Sequence, residues 1–345
     1  TPEATTEQFL LDTEAPSIEL ETENALFSPD GDGRKDSVVF RQSSGRAETW
    51  TAELTDEAGA VIRTFEWRNR LATASWDGTD AAGNPVPDGT YRYVVEGVDA
   101  AGNRARAAAP SITVDTTRTR AFATVSGSGF SPNGDGVADE VPINLFTSLT
   151  EGIEEWEIAL VHESGRIDRR FTGTQMDRTR QVTWDGRDEN GRVREGTYTA
   201  RYTVTYEKGN RPVADSREFE IDVSGPTARI DVGPLPFSPD NDGVNDELTI
   251  SLDVDDESAI DEWRLAILDR NRRPFISYSG EREPAETIVW DGRSSDGELV
   301  ISAEDYPYVF TITDALGNTS TREGIIPVDI LVVRDGDRLK VRISN

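Results

Sequence analysis

Three short stretches present oxygen ligands in the same order: Asp30-x-Asp32-Gly33-x-x-Asp36, Asn133-x-Asp135-Gly136-x-x-Asp139 and Asp240-x-Asp242-Gly243-x-x-Asp246. Calcium takes about six to eight hard oxygen ligands, which short acidic side chains and a main-chain carbonyl on a tight turn can deliver. Here the side chains stand at positions 1, 3 and 7, and a glycine at position 4 permits the sharp turn. Position 5, held by Arg34, Val137 and Val244, would add its carbonyl. Magnesium suits the set less well, because it demands a stricter octahedron and tends to keep its waters. The competing reading is a loop of Asx turns, in which Asp and Asn cap their own backbone. Three copies that all keep oxygen at positions 1, 3 and 7 favour about three calcium ions, one per copy. The third copy has three carboxylates with Glu247 beside them and is expected to bind most tightly. The first carries Arg34 and Lys35 inside the loop, and the second has one ligand reduced to Asn133.

The loops are landmarks of a longer repeat. Phe27-Ser28-Pro29 returns as Phe130-Ser131-Pro132 and Phe237-Ser238-Pro239. Trp50, Trp156 and Trp263 follow, at spacings of 106 and 107 residues. Then come Trp76-Asp77-Gly78, Trp184-Asp185-Gly186 and Trp290-Asp291-Gly292, a Tyr-led strand, and Gly-Asn turns at Gly102-Asn103, Gly209-Asn210 and Gly317-Asn318. Each unit closes on Asp115, Asp222 or Asp329. Within a unit apolar and polar residues alternate, as at Tyr198, Ala200, Tyr202 and Val204, which signals half-buried strands. In the second unit strands are predicted near 121–125, 141–147, 154–161, 167–172, 180–184, 197–205 and 217–223. About seven strands in about 100 residues with a tryptophan on the third is the pattern of an immunoglobulin-like sandwich. The expected fold is therefore all-β: three tandem immunoglobulin-like β-sandwich domains over 15–115, 116–224 and 225–330. A flexible segment, 1–14, precedes them, and 331–345 forms a C-terminal strand leading towards a further domain. With no initial Met and an end inside an apparent strand, the chain reads as a mature fragment of a longer protein.

Four ligands per loop leave a calcium shell incomplete. In an alternating seven-strand unit the first-to-second and fifth-to-sixth connections share one end, so Asp77, Asp185 or Asp291 could approach the ion. An ordinary hairpin turn is the better-supported role for those three. The last strand leaves at the same end, which places each ion near the exit of its domain.

Composition narrows the remaining chemistry. The chain has 36 Lys and Arg against 65 Asp and Glu, a formal charge of −29 that repels nucleic acid and anionic lipid. No run of apolar residues is long enough to insert in a membrane. Without cysteine there are no disulfides, thiolate metal sites or thiol nucleophiles. The single histidine, His162, stands beside the turn Glu163-Ser164-Gly165 and is expected to be an exposed loop residue, not a general base. The repeated tryptophans are expected in the cores. Trp67, outside the repeat, is the one candidate for exposure.

The stretch 130–139 resembles the opening of bacterial extracellular Ig-like repeats. Trp184-Asp185-Gly186-Arg187-Asp188 with Gly196-Thr197-Tyr198 is similar to the Ig-like domain of flagellar hook-capping proteins, and Asp77-Gly78 with Gly89-Thr90-Tyr91 matches it too. The third unit departs, with Glu304-Asp305-Tyr306 in place of Gly-Thr-Tyr. The tail from Asp329 to Lys340 resembles the lead-in to an OmpA-like peptidoglycan-binding domain, which follows such repeats in spirochaete envelope proteins. These resemblances imply a bacterial cell-envelope spacer in the periplasm, the outer membrane or on the cell surface. They bring in peptidoglycan, other envelope proteins or glycans as partners. A non-catalytic, calcium-binding structural stalk is the leading expectation, and an adhesion or carbohydrate/protein-binding module the alternative. Any two of 65 acidic residues can be nominated as a glycosidase pair, so carboxylates alone do not argue for an enzyme.

Overall fold

The computed structural model describes residues 11–330, and the backbone of two further strands, Val332–Asp335 and Arg338–Val341, which pair antiparallel. Most of the segment 1–14 and the side chains of the tail 331–345 lie outside the described residues. Among the described residues there is no helix, and thus none long and apolar enough to cross a membrane.

Alternating sequence becomes paired sheets. In the first repeat Ile18–Glu23, Val38–Ser44 and Ala74–Trp76 make one sheet. The facing sheet runs Leu26–Phe27, Ile112–Val114, Gly89–Val98, Ala47–Thr55 and Val61–Asn69, with Arg104–Ala108 also on Gly89–Val98. The same order recurs in the second repeat, where the seven predicted strands fall at Ala121–Val125, Val141–Thr147, Ile153–His162, Ile167–Gly173, Thr179–Trp184, Gly196–Tyr206 and Phe219–Ile221. The sequence pattern missed Gly129–Phe130, which pairs parallel with Phe219–Ile221, and Val213–Asp215. Two- and three-residue strands are too short to show a period of two. The third repeat sets Thr227–Gly233, Leu248–Asp255 and Thr287–Trp290 against Pro274–Glu281, Ile260–Leu268, Glu304–Asp314 and Thr319–Val328. Its departure from Gly-Thr-Tyr is absorbed locally. Ala303 takes the left-handed conformation at φ 59°, and the strand starts at Glu304.

Each pair of sheets encloses its own apolar cluster. Trp50 and Trp156 are buried, as expected of tryptophans on the third strand, whereas Trp263 is half-buried and packs against the edge of its core. Trp67 is also half-buried: it lies opposite Trp50 in register and stacks on Phe65, 6.1 Å between ring centroids. His162 corrects the sequence reading outright. It ends the strand Ile153–His162 only 9% exposed, edge-on to Tyr198 at 5.1 Å. Its ring nitrogens lie 2.8 Å from Ser164 Oγ and 3.2 Å from the Glu195 carbonyl. Nearness in sequence to a turn did not reveal that this turn folds over the ring.

Candidate metal centre

Each acidic loop grows from an aromatic nucleus. Phe27, Phe130 and Phe237 are buried and meet Trp76, Trp184 and Trp290 at 5.7, 5.8 and 5.2 Å between centroids. Those tryptophans meet Tyr91, Tyr198 and Tyr306 at 4.9, 5.0 and 6.3 Å. The indole N–H then donates to the carbonyl of Thr79, Arg187 or Arg293, at 2.7, 3.0 and 2.8 Å, closing the Trp-Asp-Gly turn. The glycine of that turn has a positive φ of 74°, 71° or 78°. A Cβ there would lie 2.8, 2.5 or 2.6 Å from Cγ of Pro29, Pro132 or Pro239. Ser-Pro and Trp-Asp-Gly, far apart in sequence, are thus the two sides of one contact. Gly186→Ala is expected to cost about 1–3 kcal/mol through overpacking and left-handed strain. Urea unfolding of the purified variant measures this, and an unchanged midpoint would mean that the turn simply yields.

Inside the loop the hydrogen bonds are the same in all three copies. The position-7 carboxylate takes two amides: Gly31 and Gly33 donate to Asp36 at 2.8 Å each. Gly134 and Gly136 donate to Asp139 at 2.6 and 2.8 Å, and Asn241 and Gly243 to Asp246 at 2.5 and 2.7 Å. The amides of Arg34, Val137 and Val244 donate to Asp32, Asp135 and Asp242 at 2.8, 2.7 and 2.8 Å. Position 1 accepts the amide of position 3 at 3.1, 2.8 and 3.1 Å. With the loop so folded, oxygens of Asp30, Asp32 and Asp36 lie within 4.8 Å of one another, as do those of Asp240, Asp242 and Asp246. Turn capping and cation binding therefore do not compete. The turns hold the carboxylates within reach of one ion. In the second loop Asn133 Nδ2 instead donates to Asp135 Oδ2 at 3.0 Å.

The aspartates of the Trp-Asp-Gly turns have the hairpin role. Asp77 accepts from the Thr79 hydroxyl at 2.6 Å, and Asp185 and Asp291 from the amides of Arg187 and Arg293, both at 3.2 Å. The Thr79 hydroxyl holds the Asp77 carboxyl below its ordinary range, against the opposing effect of desolvation.

Beside each of the first two loops lies a turn of the next repeat, a feature the sequence reading missed. Asn210 Nδ2 donates to Asp30 Oδ2, and Lys35 Nζ donates to the Glu207 carbonyl at 2.6 Å. At the second junction Ser131 Oγ and Asn133 Nδ2 both donate to Asn318 Oδ1, at 2.5 and 3.2 Å. The recurring Gly-Asn turn was visible as a landmark, but a landmark does not name the loop it touches.

Two buried atoms test whether a cation fits. Ser28 Oγ and Asn210 Oδ1 are sealed from solvent without a hydrogen-bond partner, although the matching Ser131 and Asn318 are bonded to each other. Buried polar atoms are rarely left in this state. Asn210, bonded to Asp30 through its nitrogen, and Ser28, two residues before Asp30, thus leave two oxygens without a partner next to the first loop. Carboxylates together with amide and hydroxyl oxygens are a calcium-type donor set.

Fold and site together define a class: tandem Ig-like β-sandwich repeats with an acidic loop at the base of each core. The family model described as the FlgD Ig-like domain matches residues 28–102, from the serine of the first Ser-Pro motif to the glycine of the first Gly-Asn turn. C5a peptidases of Streptococcus pyogenes, serotypes M18 and M1 among them, are 36% identical over 89 residues, 21% of this chain and 8% of theirs. The chain therefore spans a small fraction of the length of these relatives. Among solved structures, a tetra-tandem repeat from the extending region of a large adhesion protein covers 91% of this chain and 74% of its own, at 15% identity and TM-score 0.32. A Ca2+-stabilised adhesin with which an Antarctic bacterium binds ice covers 93% of this chain and 75% of its own, at 18% identity and TM-score 0.38.

Proposed function

We propose that the chain is a non-catalytic, calcium-stiffened spacer of a bacterial cell envelope, with the repeats over 15–115, 116–224 and 225–330 as its rigid units. One calcium ion sits in each loop. Its ligands are the side chains of Asp30, Asp32 and Asp36, of Asn133, Asp135 and Asp139, or of Asp240, Asp242 and Asp246, with the carbonyl of Arg34, Val137 or Val244. An OmpA-like domain after the tail would tie such a spacer to peptidoglycan, as the resemblance of the tail implies.

The contact of the first and second loops with the next repeat's Gly-Asn turn carries this reading. Neutralising the loop carboxylates fixes the loop, and the fixed loop grips Asn210 or Asn318. Ion binding is thereby coupled to the angle between neighbouring repeats. Small-angle X-ray scattering with calcium and with chelator tests the coupling. The expected result is a longer maximum dimension and less flexibility with calcium. Superimposable curves would remove the mechanical role.

A further inference from the structure

We propose a second kind of calcium site, buried at the junction of the second and third repeats and formed by Asp222, Asp256 and Asp314. One carboxylate oxygen from each lies within 4.8 Å of the others. Asp222 is 4% exposed, Asp314 1%, and Asp256 is half-buried at the rim. Among the described residues none of the three is ion-paired to a Lys, Arg or His.

Hydrogen bonds do not account for this concentration of charge. Asp222 accepts from the Ser224 amide at 2.9 Å and from Ser258 Oγ at 2.6 Å. Asp314 accepts from the amides of Leu316 and Asn318 and from Asn318 Nδ2, all at 2.8 Å. Asp256 Oδ1 accepts from the Ser258 amide at 3.1 Å, but its Oδ2 is sealed from solvent and accepts nothing. Burial raises the Asp256 carboxyl above its ordinary range, and the charges of Asp222 and Asp314 add to the rise. Asp99 caps the matching turn of the first repeat as Asp314 does, with amides of Ala101 and Asn103 at 3.0 and 2.8 Å. Capping therefore explains an aspartate at 314. It does not explain its burial beside two more carboxylates, which is costly without a counter-charge.

The first junction is an internal control. At the places that match Asp222, Asp256 and Asp314 it has Asp115, Leu149 and Tyr206, one carboxylate in place of three. A cation already stands there. Lys208, with a side chain 4% exposed, donates to Asp115 Oδ1 at 3.0 Å and to the Thr117 carbonyl at 2.6 Å. The residue that matches Lys208 in the third repeat is Leu316, also buried. One junction carries its cation in the sequence, and the other must draw it from solution. Three carboxylates and the nearby hydroxyl of Ser258 are hard oxygen donors, a set suited to calcium.

This site shares its ion with the loop reading but none of its residues, so one set of titrations separates them. The full chain is freed of metal with chelator and titrated with calcium chloride in a calorimeter. The variants are Asp256→Asn, Leu316→Lys, which places a lysine where the first junction has one, and the triple loop variant Asp32→Asn, Asp135→Asn, Asp242→Asn. Wild type is expected to bind one ion more than Asp256→Asn or Leu316→Lys, and the loop variant is expected to keep that ion. Equal ion counts for wild type and both junction variants, with native far-UV circular dichroism, would overturn the site. A loop variant that binds as many ions as wild type, while Asp256→Asn loses one, would remove the loop reading and leave this one standing.

Discussion

Adding chelator is expected to lower the melting temperature of the chain by at least about 10 °C. An ion present at about 100 times its dissociation constant contributes about 2.7 kcal/mol to the state that binds it. In a unit of about 100 residues, each kcal/mol moves the transition by about 4–8 °C. Without the ion, carboxylates held within 4.8 Å of one another by their own turns repel at close range. Magnesium is expected to restore only part of the loss, because its smaller octahedral shell fits this loop poorly. Differential scanning calorimetry with calcium, magnesium and chelator measures all three states, and a calcium-dependent shift below about 2 °C would refute structural ions in the loops. The structure also sharpens the ranking of the copies. Lys35, counted from the sequence as a charge inside the first loop, turns outward to the Glu207 carbonyl. The first copy should therefore bind nearly as well as the third, and the second, with Asn133, least well.

Trp184→Ala is expected to destabilise the second repeat by about 3–5 kcal/mol, the usual cost of deleting a buried indole. Trp184 is 1% exposed and meets Phe130, Tyr198 and Phe219 with centroid separations of 5.8, 5.0 and 6.2 Å. Its loss also leaves the Arg187 carbonyl without its donor. A chain with three separate clusters need not unfold in one step. Only one transition should therefore move in a urea titration followed by circular dichroism. Because Phe130 anchors the second loop, calcium binding there should weaken along with the core. A loss below about 1 kcal/mol would show that the aromatic nucleus is not the keystone described above.

Much of this protein was legible because its determinants are local. Alternation of apolar and polar residues specifies strands whatever surrounds them, and it runs unbroken from Tyr202 to Glu207, where the turn begins. Aspartates at positions 1, 3 and 7 fold their loop through hydrogen bonds that reach at most five residues. What stayed hidden depends on which distant segments meet. No local pattern buries His162, which lies beneath a turn and against Tyr198. Nothing in the run around Asn210 says that its amide will face Asp30, 180 residues away. Asp222, Asp256 and Asp314 look like three among many surface acids until the junction closes over them. The repeats, their longer strands and the spacing of the loop carboxylates follow from neighbouring residues, because local energies settle them. Where one repeat touches the next follows from the folded surfaces, because burial and charge compensation arise only when distant segments meet.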